Sequence, residues 1–333
     1  MTGDTLVPGS VVSETPHTAL LAVLDDTGHA YDRAARSEAT WRAYRADCEH
    51  FAGWCESVGL PALPASPETL ARYLVHLAEL GRRPATLTRR LAAISVAHQM
   101  AGYESPARSP AVRDRLAGIR RSLGVAQRQA SPATTPEIRK MVKALPAGLH
   151  GTRDRLVILL GFAAALRRSE LAALDVEDVR WVPEGIEVTI RRSKTHQEGE
   201  GAIVPVPYGS HRETCPVRAV GDWLDATGLE SGPLVRGLAR DAHLPIELRL
   251  LGRLSTEGIN RVVARAARRA GLDPAGVWTG HSLRAGLATA AAKAGVPDRA
   301  IMRTTRHRSR ASLDRYVRAG KRWDQVAAAS VGL

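Results

Sequence analysis

Six polar side chains spread over about 150 residues are hard to assign to packing: Arg167, Lys194, His281, Arg284, His307 and Tyr316. Four of them fall in one stretch, Thr279–Arg318 (TGHSLRAGLATAAAKAGVPDRAIMRTTRHRSRASLDRYVR). There His281 and Arg284 stand three apart at the start of a helical pattern, and Tyr316 follows His307 by nine residues. Two arginines can each donate paired hydrogen bonds to a phosphodiester whose non-bridging oxygens gain charge in the transition state. A histidine adds a further donor. A phenol keeps its proton to about pH 10 in water, so it attacks phosphorus only with help from a base or a cationic pocket. A lysine on a polar hairpin can protonate the departing sugar oxygen. Together the six fit phosphoryl transfer with a tyrosine nucleophile.

Taken singly, each has a plainer reading. Arg167 could pair with Glu170 three residues on, Lys194 could be a solvated lysine, His281 could cap a helix, and Tyr316 could be core beside Leu313 and Val317. It is the joint set, in one order, that points to chemistry. The sequence holds no G-x-x-x-x-G-K-[ST] loop, no HExxH and no obvious carboxylate set for two metals.

These groups need a frame and a polyanionic partner. The chain has 333 residues, 44% apolar and 4% aromatic, enough for two domains with Ala-, Leu- and Val-rich cores that suit helices. Formal net charge is +13. Residues 1–30 hold four acids and no Lys or Arg, so removing their −4 leaves +17 on the remainder. An arginine-rich surplus of that size suits nucleic acid, though a GC-rich genome also contributes. Cys48, Cys55 and Cys215 have no metal-ligand spacing and read as reduced thiols in a cytoplasmic protein. No apolar run reaches membrane-spanning length, and the signal-peptide pattern is missing.

Residues 1–35 read as a flexible arm, with a short helix near Thr18–Leu24. Residues 36–123 read as a helical DNA-binding domain. Trp41, Tyr44, Cys48, Phe51, Cys55 and Val58 mark its first helix by their three-and-four spacing. Ser66-Pro67-Glu68 starts the second, Pro84 the third and Pro110 the fourth. Arg82, Arg83, Arg89, Arg90, Arg120 and Arg121 are the expected DNA contacts, flanking the apolar stripes. Residues 124–135 read as a linker by composition, and a catalytic domain is expected over 136–318. In it, Leu156–Phe162 forms a buried helix, and Val179 to Val206 supplies the one clear β pattern, with Lys194 on its second hairpin. Residues 228–254 show no legible pattern. The expected fold is mainly α with a small antiparallel sheet, a helical domain plus a mixed α+β catalytic domain.

The motifs resemble those of the tyrosine recombinases, the phage integrase family. ALRRSELAAL resembles the family's first arginine motif, which implies Arg167 as catalytic and Glu170 as its acidic support. RRSKT resembles the catalytic lysine hairpin, and HSLR the His-x-x-Arg motif. His307 stands where the family has His or Trp, and DRYVR implies Tyr316 as nucleophile. Thr305-Arg306 departs from the family's frequent Leu-Gly. The resemblance covers residues 36–333 and is greatest to the Cre-like recombinases. With no arm-binding domain legible before residue 36, a lambda-type arm-site integrase is not expected.

The resemblance implies a site-specific DNA recombinase. Such an enzyme cuts and rejoins double-stranded DNA through a 3′-phosphotyrosine, with no cofactor, as a tetramer on paired sites. Residues 319–333 are then expected to form a C-terminal helix docking on a neighbouring protomer, the alternative being a cap on its own domain. A type IB topoisomerase-like relaxing enzyme and a non-catalytic DNA-binding regulator are the rival readings. The target sequence and any need for accessory proteins are not legible. Arg303, Arg306, Arg308, Arg310 and Arg315 are read as surface or DNA-backbone contacts.

Overall fold

The computed structural model describes residues 36–124, 129–191, 201–307 and 309–320. The arm and its short helix, Lys194 with its hairpin, and the tail from 321 lie outside the described residues. The chain divides into two compact units, Met1–Gln127 and Arg128–Leu333.

The described part of the first unit is four helices: α1 (Glu38–Ser57), α2 (Pro67–Glu79), α3 (Pro84–Met100) and α4 (Pro110–Leu123). Local chemistry sets their starts. Ser37, Ser66 and Ser109 each accept a backbone N–H three residues on, and proline occupies the first turn of α2, α3 and α4. The core joins Phe51 and Cys55 to Leu70, Tyr73, Leu74, Leu77, Leu87, Leu91, Ile94, Val112 and Ile119. Each fully buried leucine there contributes about 2 kcal/mol.

One arginine belongs to that core and corrects the reading of Arg90 as a DNA contact. It lies three residues after Leu87 and four before Ile94, so helical spacing puts it on the apolar stripe. It is buried, its Nη1 donates to the Tyr73 hydroxyl at 2.7 Å, and its Nε lies 3.5 Å from buried Asp47. Arg82, Arg83, Arg89, Arg120 and Arg121 are exposed. Arg120 Nη2 donates to Thr88 Oγ1 (3.0 Å), which brings it to the turn of α3 that carries Arg89.

In the second unit α5 (Thr135–Lys143), α6 (Leu149–Ala163) and the short α7 (Arg168–Ala173) come first. An antiparallel sheet follows, in the order β1 (Val179–Val182), β2 (Gly185–Ile190), β3 (Ala202–Pro207). After α8 (Pro216–Thr227), a small hairpin pairs β4 (Arg236–Leu238) with β5 (Leu250–Arg253), with α9 (Ile246–Arg249) between them. This fills the stretch with no legible pattern: its strands are three and four residues long and only partly covered. The unit closes with α10 (Thr256–Arg269), α11 (Gly280–Lys293), α12 (Asp298–Thr305) and α13 (Arg310–Gly320).

Helix α6 is the central element. Leu156 and Leu160 join the sheet's Val188 and Val204 and Trp223 of α8 in one core. Ile158 and Leu159 join Val263 of α10 and Leu283 of α11 in another. No helix among the described residues is long and apolar enough to cross a membrane.

The compositional linker ends earlier than its sequence implies. Ser131 N donates to Val277 O and Ala133 N to Ser282 O, both at 2.9 Å, so this segment is part of the second unit. Gly286 allows the approach: a Cβ there would lie 1.9 Å from Ala133 O. The N-cap of α5 is Thr134, so the helix starts within the stretch read as linker.

Candidate active site

The site grows from the end of α6. Ala165 adopts a left-handed turn (φ 46°) and Arg167 becomes the N-cap of α7. Glu170 folds back on that cap. Its Oε2 accepts the Arg167 backbone N–H (2.8 Å) and its Oε1 accepts Arg167 Nη1 (2.5 Å). The pairing foreseen as the plain alternative for Arg167 is therefore present, within a larger cluster.

Helix α11 adds the His-x-x-Arg pair. Its start sits close against neighbours, since a Cβ on Gly280 would lie 3.0 Å from Arg168 Cβ. His281 is exposed, whereas Arg284, on the same helix face, is only 2% exposed and donates Nη1 to Ala165 O at 2.8 Å. Small residues let α13 approach α11, where Tyr316 and Leu313 pack on Ala285, Ala288 and Ala292. The Tyr316 hydroxyl lies 2.8 Å from His281 Nε2. The His307 ring is 5.7 Å from the Tyr316 ring, centroid to centroid.

Thr305 orients His307. Its hydroxyl gives its single proton to Ile301 O (2.7 Å), so it accepts from His307 Nδ1, also at 2.7 Å. A neutral His307 then carries its proton on Nδ1 and keeps Nε2 as an acceptor.

The next residue corrects the sequence reading. Arg306, expected at the surface or as a DNA-backbone contact, is 8% exposed and left-handed (φ 56°), a conformation that costs a residue with a Cβ about 1–2 kcal/mol. Its Nη2 donates to Glu170 Oε2 (2.7 Å) and Ala165 O (3.2 Å), and its Nη1 to Ala164 O (3.2 Å) and Thr304 O (2.9 Å). Its own carbonyl lies 3.4 Å from Arg167 Nη2. The only sequence signal was the departure from Leu-Gly. Arg310, by contrast, is exposed and pairs with Asp298.

Three guanidiniums, Arg167, Arg284 and Arg306, thus gather around one carboxylate. Burial alone would raise the Glu170 carboxyl, but Arg306 and then the Arg167 N–H and guanidinium outweigh it and hold it below the usual range. For Arg284, burial followed by the charges of Arg167 and Arg306 pushes it down to about 9. Positive charge exceeds negative in a low-dielectric place, which favours an incoming anion.

Lys194 lies outside the described residues, but the base of its hairpin is fixed. Arg191, next after β2, donates Nε to Asp178 (2.6 Å) and Nη1 to Asp175 (2.8 Å), and Asp175 also accepts from Arg253 (2.5 Å). Among the described residues no group of three His, Cys, Asp or Glu side chains could hold a metal.

A largely buried arginine cluster beside a tyrosine held by an imidazole is a class of site able to take up an anion next to a phenol. Residues 133–322 match the phage integrase family, and residues 32–104 match the phage integrase N-terminal SAM-like domain. The chain belongs to the phage integrase family, that of the tyrosine recombinases. It is 36% identical over 290 residues to an integrase/recombinase XerD homolog of Selenomonas ruminantium, covering 86% of this chain and 83% of that one. It is 28% identical to the recombinase Cre of Escherichia phage P1, over 81% of each chain. Among solved structures, a lambda integrase tetramer bound to a Holliday junction has the same fold, with TM-score 0.60 and 18% identity over 95% of this chain and 85% of that one.

Proposed function

We propose that this chain is a site-specific recombinase that cuts and rejoins duplex DNA through a 3′-phosphotyrosine at Tyr316. The observation that carries the reading is the 2.8 Å contact of the Tyr316 hydroxyl with His281 Nε2 beside the cationic cluster. The Tyr316 oxygen bonds to phosphorus, its proton passes to His281, and the 5′-oxygen leaves with a proton from Lys194. Arg167 and Arg284 take up the charge that grows on the non-bridging oxygens, and His307 Nε2, when protonated, adds a donor. In the reverse step a 5′-hydroxyl attacks the phosphotyrosine and Tyr316 leaves. The bond energy is kept throughout, so no ATP or metal is required.

Arg82, Arg83, Arg89, Arg120 and Arg121 supply phosphate contacts in the first unit, with affinity that falls steeply with salt. The Holliday-junction tetramer of the lambda integrase, together with the resemblance of the motifs, supports a tetramer on paired sites. Three free cysteines fit work in the cytoplasm.

The test is a nicked duplex carrying a target recovered by selection, followed by a two-site exchange assay. Expected are an SDS-stable adduct and exchanged products. Plasmid relaxation without exchange would leave only a relaxing enzyme, and no adduct on a bound target would remove the chemistry.

Lys194→Ala is expected to slow cleavage of ordinary DNA by about 10²- to 10⁴-fold, the usual worth of a positioned general acid. A 5′-thiolate leaving group needs no proton, so cleavage of that substrate should return to near the wild-type rate. Equal loss on both substrates removes Lys194 from the acid role.

A further inference from the structure

We propose that Arg306 is a positioning residue for strand cleavage, locking the Arg167–Glu170 pair to the turn that presents His307. This rests on the recombinase reading and adds a residue that the motifs do not supply. The geometry is that of a clamp between segments far apart in the chain. One nitrogen, Nη2, is shared by Glu170 and Ala165, and the other, Nη1, by Ala164 and Thr304. The guanidinium therefore spans the end of α6, the start of α7 and the end of α12.

Two of these four acceptors are also engaged with a proposed catalytic group. Ala165 O also accepts from Arg284, and both Glu170 oxygens also accept from Arg167. Arg306 thus holds in place, by donating to them, acceptors that orient both proposed phosphate-gripping arginines, while keeping Glu170 ionised between them. Its backbone does a second task. The left-handed turn at 306 ends α12 and swings the next residue back, so that His307 meets Thr305 and lies beside Tyr316. A left-handed, buried arginine persists only where its surroundings over-determine it, and here they do so at the site.

Arg306 is not placed to touch DNA: its side chain is 5% exposed, both Nη nitrogens donate to protein acceptors, and the unpartnered Nε is buried. Its effect passes through Glu170 and Arg167. The charged groups facing Glu170 are Arg167 on its own helix, Arg306 from the end of α12 and Arg284 from α11. Removing Arg306 takes away the largest of the charges that hold the carboxyl down.

The test uses Arg306→Gly, which accepts the positive φ, and Arg306→Lys, which keeps the charge but not the fork. Adduct formation on the nicked duplex is followed from pH 5 to 9, with DNA affinity measured alongside. Expected for Arg306→Gly is unchanged affinity and cleavage slower by about 10²-fold, the scale of a small misplacement of reacting groups. The acid limb of its rate profile should move to higher pH, because Glu170 protonates earlier and releases Arg167. Arg306→Lys should restore the acid limb more fully than the rate. In the double variant with Glu170→Gln the two losses should not add.

Wild-type cleavage at a bound target is the control: its failure strikes the recombinase reading itself. With that control positive, a wild-type rate and acid limb in Arg306→Gly overturn the positioning role, as do additive losses in the double variant. If Arg306→Gly does not fold, Arg306→Lys decides, and wild-type cleavage by a folded lysine variant overturns the proposal.

Discussion

Tyr316→Phe is expected to abolish the covalent protein–DNA adduct and to leave DNA affinity unchanged. The substitution removes one oxygen and keeps the ring that packs on Ala285, Ala288 and Leu313. The lost hydrogen bond to His281 is worth about 1 kcal/mol of stability, too little to unfold the unit. The proposed nucleophile, however, has gone completely, and His281 on its own carries no route to a phosphotyrosine. The measurement is an SDS gel of the nicked duplex with each protein, beside a mobility-shift titration. Adduct formation by the phenylalanine variant would place the nucleophile elsewhere.

Arg284→Met separates chemistry from folding. Cleavage is expected to fall at least about 10³-fold, because a paired donor to the growing phosphate charge is lost. Stability is expected to stay level or rise. A cation whose folded pKa is about 9, against an unperturbed 12.5, binds its proton less well folded than unfolded. The charged form therefore weakens the fold at all pH below about 9, and the penalty fades as pH climbs from there towards 12.5. Methionine fills similar space without that cost, which is on the order of a few kcal/mol before the lost bond to Ala165 is subtracted. Thermal melts at pH 7 check it, and a fall of more than about 5 °C contradicts the argument.

Much of the frame was legible because its determinants are local. Ser66-Pro67-Glu68 starts a helix through contacts within three residues, and the alternation of Ile186, Val188 and Ile190 faces one core. His281, Arg284 and Tyr316 stood out because they lie on short patterns, and the structure brings them together. What escaped depends on partners far along the chain or on elements too short to show a period. Arg306 looked like its surface neighbours until its partner Glu170, 136 residues away, was visible. Arg90 fell on an apolar stripe, yet its being an arginine argued for solvent; Asp47 and Tyr73 reverse that by offering a buried charge and a hydroxyl. The β4–β5 hairpin has too few residues per strand to alternate.

The Arg306–Glu170 bridge also orders events during synthesis. A ribosome makes the first unit and then the Arg167–Glu170 pair well before residue 306 exists, so a growing or truncated chain carries the exposed arginines of the first unit without the clamp or the proposed nucleophile. On the proposed function, such a fragment is expected to occupy a target without opening it. Nonsense alleles ending between the two units and residue 306 would accordingly behave as competitors of the intact protein, whereas loss of the gene would not.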